Sequence, residues 1–550
     1  MKTQMKRYAV LASLASGSLA ALAFAVLNLP ADARAEELTV AAASGAQDFV
    51  SVNAGSATCG AVPLSPPAGL CRGKVRLSDA IPSGLRKDPA TVGLNYGKEM
   101  VDCFAWKTFS ALSYPSSNQC RGEPAGSTPP KNWTNDRVWE TYKEPFELFQ
   151  ATKPNWNPKN VDFNDDAPTG SCGDTGSGKK LLRRATKFPL VDEDYQAFLS
   201  SVVLTDQQGN TVWYEVLFNR DVFEYIRDEG LAKTGAYSFG GPVDDSVSVD
   251  FPLPEERKSK AGTIEVKAAW RIMTSDDNLN RYFTQEAVVY DGTDCVEETV
   301  GLVGLHITRK VESSPKWIWA TFEHVDNVPK AGTDGDGREY NFFSKYCAIN
   351  QPSDCDTKVA VTDTDHICCP NLIPYPIPDP AYSTNQVTRL DPISGSKRME
   401  KRFRKAFKKA GSPFYYFKLV GAQWAKPRNF RGRDTEQAMD QLADLLDRPS
   451  HGSGLMSAAH EYFGENPAWQ RPCNPNGPWG IDKPGESEAC YQQIPKALRN
   501  TSMETLIVQT NKKGTQYSAD SCMNCHFAGG VDGSYLWLDA MLNPYKASSN

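Results

Sequence analysis

Beyond residue 29 the chain has no apolar run long enough to span a bilayer, which excludes a polytopic membrane protein. It has no internal repeat, which excludes solenoids and propellers. It also lacks any excess of basic charge. The 60 Lys and Arg residues stand against 66 Asp and Glu, a net charge of −6, and such a surface does not suit general nucleic-acid binding. Biased composition is absent as well: 40% hydrophobic and 23% charged residues exclude a disordered or collagen-like chain. What remains is a globular protein of 550 residues. At about 150 residues per domain it has room for two to four domains.

The N-terminus indicates the compartment. Lys2, Lys6 and Arg7 form a basic start, an apolar stretch runs from Tyr8 to Leu29, and Ala33-Arg34-Ala35 supplies a small-x-small cleavage site. This is the pattern of a secretory signal peptide over residues 1–35. An uncleaved anchor is the competing reading, but Ser13, Ser16, Gly17 and Ser18 dilute the apolar run. The expectation is a periplasmic or secreted bacterial protein with no stable membrane insertion after signal cleavage.

One motif carries most of the chemistry. Cys522-Met-Asn-Cys525-His526 is a C-x-x-C-H, the attachment signature of c-type haem. Thiols three positions apart lie on one side of a helical turn, where both can form thioethers to the vinyl groups of one porphyrin. The adjacent imidazole then faces the iron as proximal ligand. A thioredoxin-type pair would need a βαβ context, and a zinc site would need a second C-x-x-C. Neither is present. The expected cofactor is one covalent haem c held by Cys522, Cys525 and His526.

The other twelve cysteines read as six disulfides in an oxidising compartment. Short loops suggest Cys59–Cys71, Cys103–Cys120, Cys347–Cys355 and Cys473–Cys490, leaving Cys172 and Cys295 for Cys368 and Cys369. Spacing alone does not determine connectivity. Asp365-His366-Ile-Cys368-Cys369 reads as disulfide chemistry beside a surface histidine, because adjacent thiolates make a cramped metal chelate.

Periodicity divides the chain. Helical spacing marks Val101–Leu112 and Trp139–Leu148. Runs of β-branched and aromatic residues mark strands at Thr211–Phe218, Thr263–Met273, Phe283–Tyr290, Val300–Arg309 and Trp317–Val325. Ile264, Val266, Ala268, Trp270 and Ile272 alternate as one buried sheet face requires. From about residue 395 helices are expected at 397–409 and 434–447, with a strand at Phe414–Trp424 and a Pro/Gly-rich loop at Glu465–Ser487. The expected fold is α+β: a β-rich, disulfide-braced body over 36–395 and a more helical, cytochrome c-like haem-bearing region over 396–550.

Four stretches resemble a known family: Lys316-Trp-Ile-Trp-Ala-Thr-Phe-Glu-His-Val-Asp-Asn-Val-Pro329, Leu419-Val-Gly-Ala-Gln-Trp424, Asn500-Thr-Ser-Met-Glu-Thr505 and Ser521-Cys-Met-Asn-Cys-His526. The sequence is similar there to large exported bacterial cytochrome c family proteins with a single haem site near the C-terminus. The resemblance implies a periplasmic haem protein and brings no defined substrate with it.

For the sixth iron position, Met523 lies inside the motif and cannot fold back over the porphyrin. Met503 is the first candidate, because thioether ligation raises the potential; packing is its ordinary alternative. Met541, His451, His460 and an open position remain. An open iron would favour a redox enzyme, peroxidase- or oxidase-like, with a substrate pocket in the body. His306, Glu323 and His324 are the residues to inspect. A hairpin turning at Pro315 sets the two histidines opposite each other, and one turning two residues earlier sets them four positions apart. Ordinary sheet histidines are the alternative, and Trp317, Trp319 and Phe322 read as core.

Lys397-Arg-Met-Glu-Lys-Arg-Phe-Arg-Lys-Ala-Phe-Lys-Lys409 is strongly basic on an acidic protein. It reads as a solvated face, or as a surface that steers an acidic redox partner protein. Gly173-Asp-Thr-Gly-Ser-Gly178-Lys179 imitates a phosphate loop, but it lacks the following Ser/Thr and a preceding strand.

Overall fold

The computed structural model describes, with short interruptions, residues 59–156, 179–182, 204–343, 385–427 and 491–504, with a few isolated positions elsewhere. The signal segment 1–35, the expected helix 434–447 and the loop 465–487 lie outside the described residues.

Eight strands form one curled sheet. They are β1 (Lys180–Leu182), β2 (Val212–Phe218), β3 (Ile264–Ile272), β4 (Thr284–Tyr290), β5 (Cys295–Val311), β6 (Ser314–His324), β7 (Phe417–Pro427) and β8 (Tyr491–Ile494). The main path runs β8-β7-β6-β5-β3-β2. β4 pairs antiparallel with the start of β5, and β1 adds to β4 in parallel. The long β5 therefore serves three partners. Among the described residues four helices accompany the sheet: α1 (Leu94–Leu112), α2 (Pro145–Phe149), α3 (Arg220–Asp228) and α4 (Lys397–Lys409). The strand-rich body matches the sequence reading, and α4 has the expected ends. The sheet takes strands from both sides of residue 395.

The predicted alternation in β3 holds. Ile264, Val266, Ala268 and Trp270 enter the main core, and Ile272 packs at its margin. The middle of that core is aromatic. Phe109 of α1 stacks on Phe322 of β6 at 4.2 Å, and Trp106 stacks on Phe403 of α4 at 5.3 Å. Phe407, Phe414 and Phe417 surround Phe109 within 6 Å. α4 sends Met399, Phe403 and Phe407 inward at four-residue spacing, which places them on one helical stripe.

The helix expected over 139–148 is broken into a single 3-10 turn, Trp139–Thr141, and the short α2. Pro145 opens α2, where its missing N–H costs nothing, and it biases Glu144 away from helical backbone.

The disulfides correct the short-loop pairing. Cys59 joins Cys120, and Cys71 joins Cys103. The chain between Cys59 and Cys71 does not fold back, because Leu64–Ser65 runs extended beside Ile81–Pro82. Loop-closure entropy rises slowly with length, so short loops have no decisive advantage. Cys295 is also disulfide-bonded. The bonding of Cys172, Cys347, Cys355, Cys368, Cys369, Cys473 and Cys490 lies outside the described residues. No helix among the described residues is long and apolar enough to cross a membrane.

Candidate functional site

The histidine pair resolves through strand register. β5 and β6 turn on two residues, Glu312 and Ser313, and a bulge at 315–317 follows. Trp317 sits there at φ 66°, a strained conformation for a bulky residue, held against Phe251 and Trp319. The two-residue turn alone would set His306 opposite Trp319; the bulge shifts the register by two, so His306 stands opposite Thr321, three positions from His324. Odd spacing sends the two side chains to opposite faces. Neither expected arrangement occurs.

His324 is fully buried and stacks on Tyr282 at 4.2 Å. Its Nε2–H donates to the Arg281 carbonyl at 3.0 Å, and its Nδ1 accepts the Asp326 N–H at 3.2 Å. Both nitrogens are used by a neutral ring, and burial lowers its pKa to about 4. His324 is thus a structural residue.

His306 leads to a denser site. On its face of the sheet the turn Asn500–Glu504 is held by a dense set of polar groups. The Asn500 amide donates to Thr321 Oγ1 at 2.9 Å and to the Phe322 carbonyl at 2.7 Å. Its Oδ1 accepts the N–H and hydroxyl of Ser502. Thr501 donates from its N–H and hydroxyl to Glu323, and Tyr214 donates to the Ser502 carbonyl at 2.8 Å. Glu504 closes the turn, accepting the Asn500 N–H at 2.7 Å and meeting His306 Nε2 at 2.8 Å.

Two glycines make room for this docking. A Cβ at Gly304 would stand 2.2 Å from Ser502 Oγ, and one at Gly421 would stand 2.8 Å from Leu498 Cδ1. Beneath the turn, Glu323 is fully buried and pairs with Arg389 and, at 3.0 Å, with Lys418. Burial, reinforced by the Arg389 charge, lowers the Lys418 pKa to about 7.

Met503 is 2% exposed, in an apolar cluster with Val212, Tyr214, Ala269, Val303 and Phe342. Its packing anchors the turn in a second small core. Cys522, Cys525 and His526 lie outside the described residues, as do Met541, His366, His451 and His460.

A second charged cluster lies around Lys180. Lys180 forks onto both Glu215 oxygens at 2.8 and 2.9 Å and lies 3.7 Å from Glu140, near the rings of Trp139 and Trp270. Burial raises the Glu140 pKa to about 7, with Lys180 opposing. Lys179 meets Glu297 at 2.6 Å, so both lysines after the glycine-rich 173–178 stretch are engaged in ion pairs. Nothing in the linear pattern marks this cluster, because its members come from distant segments.

Trp317, Trp319 and Phe322 are buried, as expected of core. No family model, curated protein or solved structure matches the chain.

Proposed function

We propose that this protein is an exported monohaem c-type cytochrome that exchanges electrons with a partner protein. The single observation that carries the reading is Cys522-Met-Asn-Cys525-His526. Its donor set suits covalent haem: two thiols for the vinyl groups and one imidazole for the iron. When bound, the haem supplies a one-electron couple. The resemblance to exported cytochrome c family proteins supports the same reading. Disulfides at Cys59–Cys120 and Cys71–Cys103 favour an oxidising compartment and hence the signal-peptide reading of residues 1–35.

In this proposal Cys522 and Cys525 tether the porphyrin and His526 orients toward the iron. The Asn500–Glu504 turn anchors the preceding chain to the sheet, and Met503 is the candidate sixth ligand. A haem redox enzyme with an open iron is the second reading, favoured by size, since a carrier needs only about 100 residues per haem.

The test is to express the full chain with a haem-maturation system. Denatured protein should keep haem stain and give a one-haem pyridine haemochrome spectrum; a colourless product refutes the proposal. Low-spin iron indifferent to CO supports the carrier. High-spin iron that binds CO and reacts with peroxide selects the enzyme. Met503→Leu keeps the packing volume and removes the sulfur, so conversion from low to high spin identifies Met503 as the ligand. An unchanged spectrum limits Met503 to packing.

A further inference from the structure

Helix α4 has two faces with separate tasks. Met399, Phe403 and Phe407 are spent on the aromatic core. Lys397, Lys401, Lys405 and Lys408 recur at four-, four- and three-residue spacing and are all exposed, a stripe about 16 Å long at helical rise. Lys409 extends it. Acids on α4 and α1 are engaged elsewhere: Glu400 with Arg404 at 3.1 Å, Glu99 with Arg398, and Asp102 with Lys98 at 2.8 Å.

Tertiary structure enlarges the stripe. Arg402 of α4 donates to the Cys71 carbonyl at 2.6 Å, tying the extended segment 71–77 to the helix. In that segment Val75 and Leu77 pack against the core, while Arg72, Lys74 and Arg76 are exposed. The Cys71–Cys103 disulfide pins the segment to α1. Eight cations from segments more than 300 residues apart in sequence thus share one region of a chain whose net charge is −6. None of the eight has a carboxylate partner among the described residues. Clustered like charges repel, and the fold does not need exposed lysines to bury α4.

We propose that α4 and segment 71–77 form one docking surface for an acidic protein partner. The inference does not depend on the haem reading. A membrane fits poorly, because an interfacial helix must offer its apolar face to lipid, and that face is buried here. A carboxylate-rich protein surface complements the stripe, and the opposite sign of the molecule as a whole orients the approach.

The test measures retention of the full chain on immobilised poly-L-glutamate. Retention should be strong at low salt and lost by about 0.3 M salt. Lys401→Glu with Lys405→Glu should weaken it about tenfold or more, with thermal unfolding unchanged. The matched pair Lys258→Glu with Lys330→Glu, exposed lysines elsewhere, should stay within about twofold, since it lies off the surface. Arg72→Gln with Arg76→Gln should weaken retention too, and no effect there overturns the two-segment surface. Absence of retention, equal loss in the control pair, or tighter binding to phosphatidylglycerol vesicles or duplex DNA overturns the proposal.

Discussion

Around the middle of β6 the two faces of the sheet are closed by different physics. Along β6, Phe322 meets the rings of Trp106 and Phe109, while its neighbours Thr321 and Glu323 hold Asn500 and Thr501 on the other side. The aromatic face gains from area removed from water, which is non-directional and tolerates substitutions of similar volume. The polar face depends on complete satisfaction. Each buried donor left unpaired there costs more than its bond contributed. The difference predicts that conservative changes separate the faces better than truncations do.

The largest effect is expected at Phe109. Phe109→Ala removes the ring that five other aromatics touch and should cost about 5 kcal/mol in urea unfolding. Phe109→Leu should cost clearly less, because volume is largely kept. Glu323→Ala should cost about 4 kcal/mol, since Arg389 and Lys418 are left buried without a counter-charge. Here the isosteric Glu323→Gln should retain most of the penalty. If Gln is as benign at 323 as Leu is at 109, the distinction between the faces fails.

Two buried groups test the electrostatics. The folded-state pKa of His324 is depressed to about 4, so its contribution is present above its unfolded value near 6.5 and is lost as pH falls toward 4. The pKa of Glu140 is raised to about 7, so its contribution is present below about 4.5 and is lost as pH rises toward 7. Each amounts to about 3 kcal/mol, and the two slopes oppose each other across pH 4.5–6.5. Glu140→Gln should therefore steepen the acid loss of stability by about that amount, and His324→Gln should flatten or reverse it. Urea midpoints at four pH values between 4 and 7 measure both. Parallel profiles in all three proteins would contradict the assignment.

The smallest expected effect sharpens the account of the polar face. Gly304→Ala puts a Cβ against Ser502 Oγ and should cost about 2 kcal/mol. Combined with Ser502→Ala it should cost less than the two single changes added, because the clash is shared. Hydrogen exchange in residues 500–504 reports the same coupling. Additive costs would mean the turn is not seated on Gly304.

How legible the molecule was depended on range. β3 was readable because five apolar residues alternate without interruption, and α4 because its inward residues recur every fourth position on a charged background. The hairpin histidines were misplaced because register depends on whether a turn has an odd or an even number of residues. The strained Trp317 bulge that follows leaves no mark in hydrophobic pattern. Within the candidate site, Glu323 and the Asn500–Thr505 stretch stood out as residues. That Asn500, Thr501 and Glu504 reach back to β5 and β6 did not, because hydrogen bonds over nearly 200 positions have no periodicity.

By itself the sequence determined the local terms: the main strands of the sheet, the bounds of α4, where their apolar faces fall, and the spacing of a thiol-thiol-imidazole motif. These depend on neighbours a few residues apart, and backbone geometry forces the answer. Only the tertiary structure decided the nested disulfides, the burial of Glu323 between Arg389 and Lys418, and the meeting of the 71–77 segment with α4. Those are partnerships between distant residues, chosen when the sheet curls and the core closes, by the joint burial of apolar surface and the demand that every buried charge find a partner.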